Sequence, residues 1–329
     1  MTDKGLNPPK TLGVGVWGIG DHARRTILPA LVNCRHTKLF AVGSRNSDVR
    51  KAQGEKWHCQ SAATLDALLQ LPDIDAVFVA TPIGRHFDDG RAVLEAGKHL
   101  WCEKAFTATL GEAQELLDIA AANDLAVCVS CPPLYHPQFK KLSEMLKDES
   151  FGRVHSIDAH FGFPHVSRDH SKYDPLSGGS AMLDLGFYPL VMAQHLFADM
   201  PSVSSAVIET EDGYQIDTSG TALLHFDAGA HVTARWGYGR DYVNEIRISA
   251  EQATLVLCPA FSKPPNLPPT LIIRRQNIDE VVEIPETDQF VSMLDEFAAT
   301  SVTEDGRTAM RDMVWSQQTL LSRVQLSAA

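Results

Sequence analysis

Apolar and polar positions follow two regimes along this chain. Up to about residue 130, short apolar runs alternate with stretches of helical spacing. Residues 12–17, 38–43, 76–80, 99–102 and 125–129 read as strands, and 76–80 is apolar throughout, as a strand covered on both faces requires. Between them, residues 23–32, 48–57, 65–71, 87–96 and 110–123 carry helical periodicity, with Pro29 expected to kink the first helix and Gly97 to cap the fourth. Strands alternating with helices predict βαβ units and a parallel sheet. After Pro132 and Pro133 comes one more helix, 138–147. Strands then follow one another at 154–163, 203–210, 218–226, 231–237, 243–250, 254–258, 271–275 and 280–284. This succession predicts an antiparallel or mixed sheet. One helical segment, 180–197, interrupts it, and helices near 288–299 and 308–324 close the chain. The expected fold class is therefore α/β, in two domains divided as 1–133 and 134–329.

Composition narrows the function. The chain has 329 residues, 44 % of them hydrophobic and 21 % charged, which is ordinary globular composition. Its formal net charge of -12, with no run of Lys or Arg, argues against a nucleic-acid role and against an anionic membrane surface. No apolar run approaches the ~20 residues of a membrane-spanning helix. Residues 1–10 lack the apolar core of a secretory leader, so a cytoplasmic protein is expected. Six scattered cysteines do not form a disulfide framework, and the Cys128–Cys131 pair has no second pair to complete a zinc site. His155, His160, His165 and His170 recur every five residues, a spacing that alternates faces in a strand, so no metal is expected.

The first strand runs into Gly18-Ile19-Gly20-Asp21-His22-Ala23. An alternative glycine register, beginning at Gly13, lies within the strand and cannot form the turn. In the chosen register Gly18 permits a tight turn, Gly20 lets the backbone approach a pyrophosphate, and Ala23 lets helix and strand pack closely. The helix start then offers its N–H groups to phosphate. The second strand ends in Gly43-Ser44-Arg45, where NAD binders usually carry an acidic residue. An Arg there suits a 2′-phosphate, so NADP is expected in preference to NAD.

Three further segments complete the pattern: Thr81-Pro82 with His86, Glu103-Lys104, and residues 178–189 with Asp184 and Tyr188. With the glycine turn, and with Tyr135-His136-Pro137-Gln138 and Asp288-Gln289-Phe290, they resemble the glucose–fructose oxidoreductase / inositol dehydrogenase / rhizopine-catabolism (Gfo/Idh/MocA) family over nearly the whole chain. The resemblance implies an N-terminal Rossmann domain with a doubly wound parallel sheet. It also implies a C-terminal α/β domain with an open, mostly antiparallel sheet, and a homo-oligomer. Gly18, Ile19, Gly20, Asp21, His22, Ser44, Arg45, Thr81, Pro82, His86, Glu103 and Lys104 then become cofactor contacts, and Lys104, Asp184 and Tyr188 the catalytic set. Ala105 stands where the family has Pro after Glu-Lys, which leaves the local backbone shape open. Tyr188 stands where many members have His, as in the branch resembling sugar ketoreductases, xylose dehydrogenase and dihydrodiol dehydrogenase.

This constellation fits carbonyl reduction, which needs a hydride and a proton. Tyr188 is a phenol, protonated at neutral pH, whose pKa a nearby Lys lowers. Lys104 is the other candidate donor, and the sequence does not choose between them. Asp184 lies four residues from Tyr188, on the same helix face, where it can orient the Lys or hold a sugar hydroxyl. The leading reading is an NADP-dependent oxidoreductase of a sugar, inclined to a nucleotide-linked one on resemblance around residues 249–264 and 285–290. An aldose 1-dehydrogenase, a dihydrodiol dehydrogenase and a non-catalytic NADPH sensor are the alternatives.

Overall fold

A computed structural model describes residues 11–197 and 199–328. The stretch 1–10, on which the expectation about a leader rests, lies outside them. The first sheet has six parallel strands: β1 (Leu12–Trp17), β2 (Thr37–Gly43), β3 (Gln60–Ala62), β4 (Ala76–Val79), β5 (His99–Cys102) and β6 (Val127–Val129). They lie in the order β3-β2-β1-β4-β5-β6. The order reverses between β1 and β4, which opens a crevice beyond their C-terminal ends. Strand β3 was not expected. It is three residues long, with two exposed, so it carries no apolar run.

Alternation along the strands divides the core. On β4, Ala76 and Phe78 face one layer, while Val77 and Val79 face the other. A π-turn (Ala23–Ile27) with α1 (Leu28–Asn33), then α2 (Ser47–Trp57), α3 (Leu65–Leu69), α4 (His86–Glu95) and α5 (Leu110–Ala122) cross between the strands. Their starts are set locally: Asn46 caps α2, Thr64 caps α3, and Thr109 with Glu112 forms a reciprocal capping box on α5.

A short turn (Pro132–Tyr135) and α6 (Pro137–Met145) lead to the second sheet. Its strands are β7 (Val154–Phe163), β8 (Ser202–Glu209), β9 (Ser219–His225), β10 (His231–Tyr238), β11 (Val243–Ala250), β12 (Thr254–Leu257), β13 (Leu271–Arg275) and β14 (Ile278–Val282). Their order is β14-β13-β12-β11-β7-β10-β9-β8, antiparallel except where β10 runs parallel to β7. A second π-turn (Met182–Gly186) opens α7 (Phe187–Phe197), which packs on β7 and β10.

Both helices that begin at the cleft thus open on a wide turn closely followed by a proline, Pro29 or Pro189. Proline lacks an N–H and crowds the carbonyl four residues back, and a wider turn relieves both problems. At Pro29, where a kink is expected from the sequence, the structure shows this wide turn just before the proline.

The chain end departs from a simple two-part layout. α8 (Gln289–Ser301) returns to the first sheet, where Met293, Leu294 and Phe297 join the core layer of Ile27, Phe78 and Trp101. Phe297 meets Trp101 and Tyr135 edge-on, and Trp101 Nε1 donates to Ser301 Oγ at 3.2 Å. α9 (Glu304–Ala328) is longer than its apolar spacing indicated and packs against α5 and β8. None of the described helices is long and apolar enough to cross a membrane.

Candidate active site

The crevice beyond β1 and β4 opens into a cleft of about 870 Å³, walled on the far side by β7 and the start of α7. Gly18 makes the turn out of β1 at φ +92°, and a Cβ there would lie 2.7 Å from Ala80 C and Thr81 N. Only glycine meets both conditions. Gly20 borders open space, with no atom within 4 Å of where a Cβ would stand. The following turn has no side-chain cap, so its first N–H groups are not claimed by a side chain. This cradle fits a dinucleotide pyrophosphate. Ser44 and Arg45 line the same cleft at the end of β2. Arg45 is exposed and has no hydrogen bond or ion pair among the described residues, a disposition that suits a 2′-phosphate.

At the other end of the cleft, Glu103 Oε1 accepts from His22 Nε2 at 3.2 Å. Burial pushes the Glu103 pKa up, but His22 and Lys104 outweigh it and hold the carboxyl below its usual range. Beside it, Lys104 Nζ donates to both the backbone O and Oδ1 of Asp184, each at 2.6 Å. The second carboxylate oxygen, Oδ2, accepts from Lys172 Nζ at 3.0 Å and from the Tyr238 hydroxyl at 2.9 Å. Burial raises the Asp184 pKa, yet the two ammonium groups overcome it and keep the carboxyl well below the ordinary carboxylate range. The π-turn carries Asp184 into this position, and Ser180 and Asp217 fix the turn through Leu183 N and Met182 N.

Tyr188 follows one turn later. Its ring packs against Phe161 and Phe261, with Lys104 Nζ 5.0 Å from its centre. Its hydroxyl has no hydrogen-bond partner among the described residues. The sequence reading had the neighbouring Lys lower this phenol's pKa. Instead burial, followed by the charges of Glu103, Cys131 and Asp184, pushes it well above its ordinary value.

Of the residues singled out in the sequence, Gly18, Ile19, Gly20, Asp21, His22, Ser44, Arg45, Thr81, Pro82, Glu103, Lys104, Asp184 and Tyr188 all line this one cleft. His86 does not, and its reading as a cofactor contact is corrected. It is 1 % exposed, with Nε2 2.8 Å from Thr81 O and Nδ1 2.9 Å from Ala105 O. It therefore clamps the loop after β4 to the segment bearing Lys104. The Thr81 hydroxyl is likewise engaged, donating to Asp89 Oδ2 at 2.8 Å. The Lys104–Ala105 peptide bond is cis.

Lys172 and Tyr238 were missed. Lys172 sits on a one-turn segment (Ser171–Tyr173) and Tyr238 at the end of β10. Neither belongs to a recognisable motif, and only folding brings them to residue 184.

Comparisons with known proteins identify the family. A model of the oxidoreductase family with an NAD-binding Rossmann fold matches residues 12–131, and the GFO/IDH/MocA C-terminal domain matches residues 139–256. The chain belongs to the Gfo/Idh/MocA family of oxidoreductases. Within that family it is 32 % identical to a dTDP-3,4-didehydro-2,6-dideoxy-alpha-D-glucose 3-reductase of Streptomyces violaceoruber, over 92 % of this chain and 89 % of the relative. It is 26 % identical to a D-xylose 1-dehydrogenase (NADP(+)) of Haloferax volcanii, over 76 % and 77 %. Among solved Gfo/Idh/MocA structures, a 3-ketoreductase from Actinomadura kijaniata in complex with NADP and TDP-benzene superposes with a TM-score of 0.92. The two are 28 % identical, over 97 % of this chain and 98 % of that one.

Proposed function

We propose that this protein is an NADP-dependent reductase of a nucleotide-linked keto-sugar, with Tyr188 as proton donor. The carrying observation is the meeting of Lys104, Asp184 and Tyr188 in the cleft that begins at the Gly18–Gly20 cradle. The substrate class draws support from the relative named as a reductase of a dTDP-linked keto-sugar and from the 3-ketoreductase solved with TDP-benzene. The choice of NADP draws it from the free guanidinium of Arg45 and from the NADP-bound structure.

A bound NADPH supplies the hydride to the carbonyl carbon. Tyr188 donates its phenolic proton to the carbonyl oxygen, which becomes the alcohol, and water later reprotonates the phenolate. Its raised pKa keeps it protonated until then. Lys104 does not donate. Its ammonium is held by two oxygens of Asp184 and lies over the Tyr188 ring, where it stabilises the phenolate. Glu103 and His22 lie beside Lys104 in the same cleft.

Residues 1–133 serve in this reading as the dinucleotide-binding domain and 134–329 as the substrate and oligomerisation domain, with α8 folded back on the first. The outer face of the eight-stranded sheet, where Val207 and Leu223 are exposed, is the surface for a homo-oligomer. A cytoplasmic location accompanies the NADP dependence. The same groups run in reverse would oxidise an aldose, a second reading favoured by the xylose dehydrogenase relative.

The test is loss of NADPH absorbance with a panel of keto-sugars, nucleotide-linked ones included, and the reverse assay on aldoses with NADP. Turnover on one class is expected. Tyr188→Phe should lower it roughly 10²-fold or more without weakening NADPH binding. NADPH binding with no turnover on any sugar, or full turnover by Tyr188→Phe, would overturn the proposal.

A further inference from the structure

Asp184 carries one negative charge and faces two ammonium groups, Lys104 at 2.6 Å and Lys172 at 3.0 Å. A lone Lys104–Asp184 pair would be neutral, and the phenol beside it would feel little net charge. Lys172 leaves the cluster with a surplus of one positive charge. Hydrogen bonding alone does not require it, because the Tyr238 hydroxyl already donates to the same Oδ2.

Lys172 is also built into place. Its backbone N–H donates to His170 Nδ1, which caps the turn. Its ammonium lies 4.8 Å from the centre of the Phe163 ring and 5.5 Å from that of Tyr238. Only 23 % of its side chain is exposed. A lysine held by a carboxylate and two aromatic faces is not a solvated surface charge.

We propose that Lys172 is a positioning residue that occupies the second oxygen of Asp184 and so keeps the positive charge of Lys104 available to the Tyr188 phenolate. The charged and titratable groups around Tyr188 are Glu103 and Lys104 from the end of β5, Cys131 from the loop after β6, and Asp184 from its own helix. From β7 and the loop after β12 it meets the rings of Phe161 and Phe261. Glu103 accepts from His22, which offsets its charge only when protonated, and Asp184 is shared by Lys104 and Lys172. Within the Asp184 cluster Lys172 is the source of the surplus. The role rests on the reading of Tyr188 as proton donor.

The experiment compares Lys172→Met, Lys172→Gln and Lys172→Arg, each alone and with Tyr188→Phe, in NADPH oxidation with the sugar the wild type reduces. At a separation on the order of 10 Å and an effective dielectric of about 20, loss of one charge should raise the phenol's pKa by roughly one unit. Lys172→Met should lower kcat about ten-fold, leave the Kd for NADPH unchanged, and move the basic limb of the kcat profile to higher pH. Lys172→Gln should follow Lys172→Met, and Lys172→Arg should follow the wild type. In the Tyr188→Phe background, Lys172→Met should cost nothing further. An equal further loss in that background overturns the proposal, as does a Lys172→Gln variant as active as wild type or a Lys172→Arg variant as slow as Lys172→Met. A wild type with no turnover on any sugar sinks the underlying reading instead, which separates the two failures.

Discussion

Asp184→Asn probes both the stability of the cleft and its charge balance. The amide keeps one acceptor, which can still receive Lys104. Its NH₂ group then points at the Lys172 ammonium and the Tyr238 hydroxyl, two donors that Oδ2 now accepts at 3.0 and 2.9 Å. Two ammonium groups are left without a counter-charge in a site where the lysine and aspartate side chains are less than a quarter exposed. Breaking a buried pair on one side costs about 3–5 kcal/mol, which for a chain of this size lowers Tm by on the order of 10 °C.

The pH dependence gives a second readout. The folded Asp184 carboxyl titrates well below its unfolded value of about 3.9, so the wild type binds fewer protons folded than unfolded across that interval. The stabilisation is fully present above the unfolded pKa and is lost as pH falls through the folded one. Melting curves of both proteins, read by circular dichroism from pH 8 downward, should show a constant gap above about pH 5 that shrinks below about pH 4. Equal melting temperatures at pH 7, or a gap that widens in acid, would refute the reasoning.

Arg45→Ala should weaken NADPH binding roughly 10- to 100-fold and leave NADH nearly unchanged, because only the 2′-phosphate would lose charge-assisted hydrogen bonds. Fluorescence titration of both cofactors measures this, and an unchanged NADPH/NADH ratio counts against the assignment. Phe297→Ala removes a fully buried ring that meets Trp101 and Tyr135. Urea unfolding should show a loss of about 3–5 kcal/mol. A loss below 1 kcal/mol would mean that α8 contributes little to the first core.

What the sequence determined by itself is what repeats locally. The apolar runs at β1 and β4, the glycine that ends α4 at Gly97, and the glycine turn at Gly18 each depend on residues a few positions apart. Such local signals were sufficient for a parallel sheet, a second sheet that is antiparallel or mixed, and a dinucleotide-binding turn at the end of β1. Motif order then pointed to Lys104, Asp184 and Tyr188. Strand β3 escaped notice because three largely exposed residues carry no period. His86 was misjudged because a motif shows where a side chain starts and not which way it turns. In the fold it turns inward, to the carbonyls of Thr81 and Ala105.

Tertiary structure alone decided the rest. α8 is an ordinary amphipathic helix in sequence, and its return to the first sheet depends on a core layer completed by residues more than 150 positions away. Lys172 and Tyr238 meet Asp184 from 12 and 54 positions away, on elements whose own patterns serve a turn and a strand. Local periodicity records which face of an element is buried. It does not record which distant charge will face it, because the Coulomb interaction depends on distance in space and not on separation along the chain.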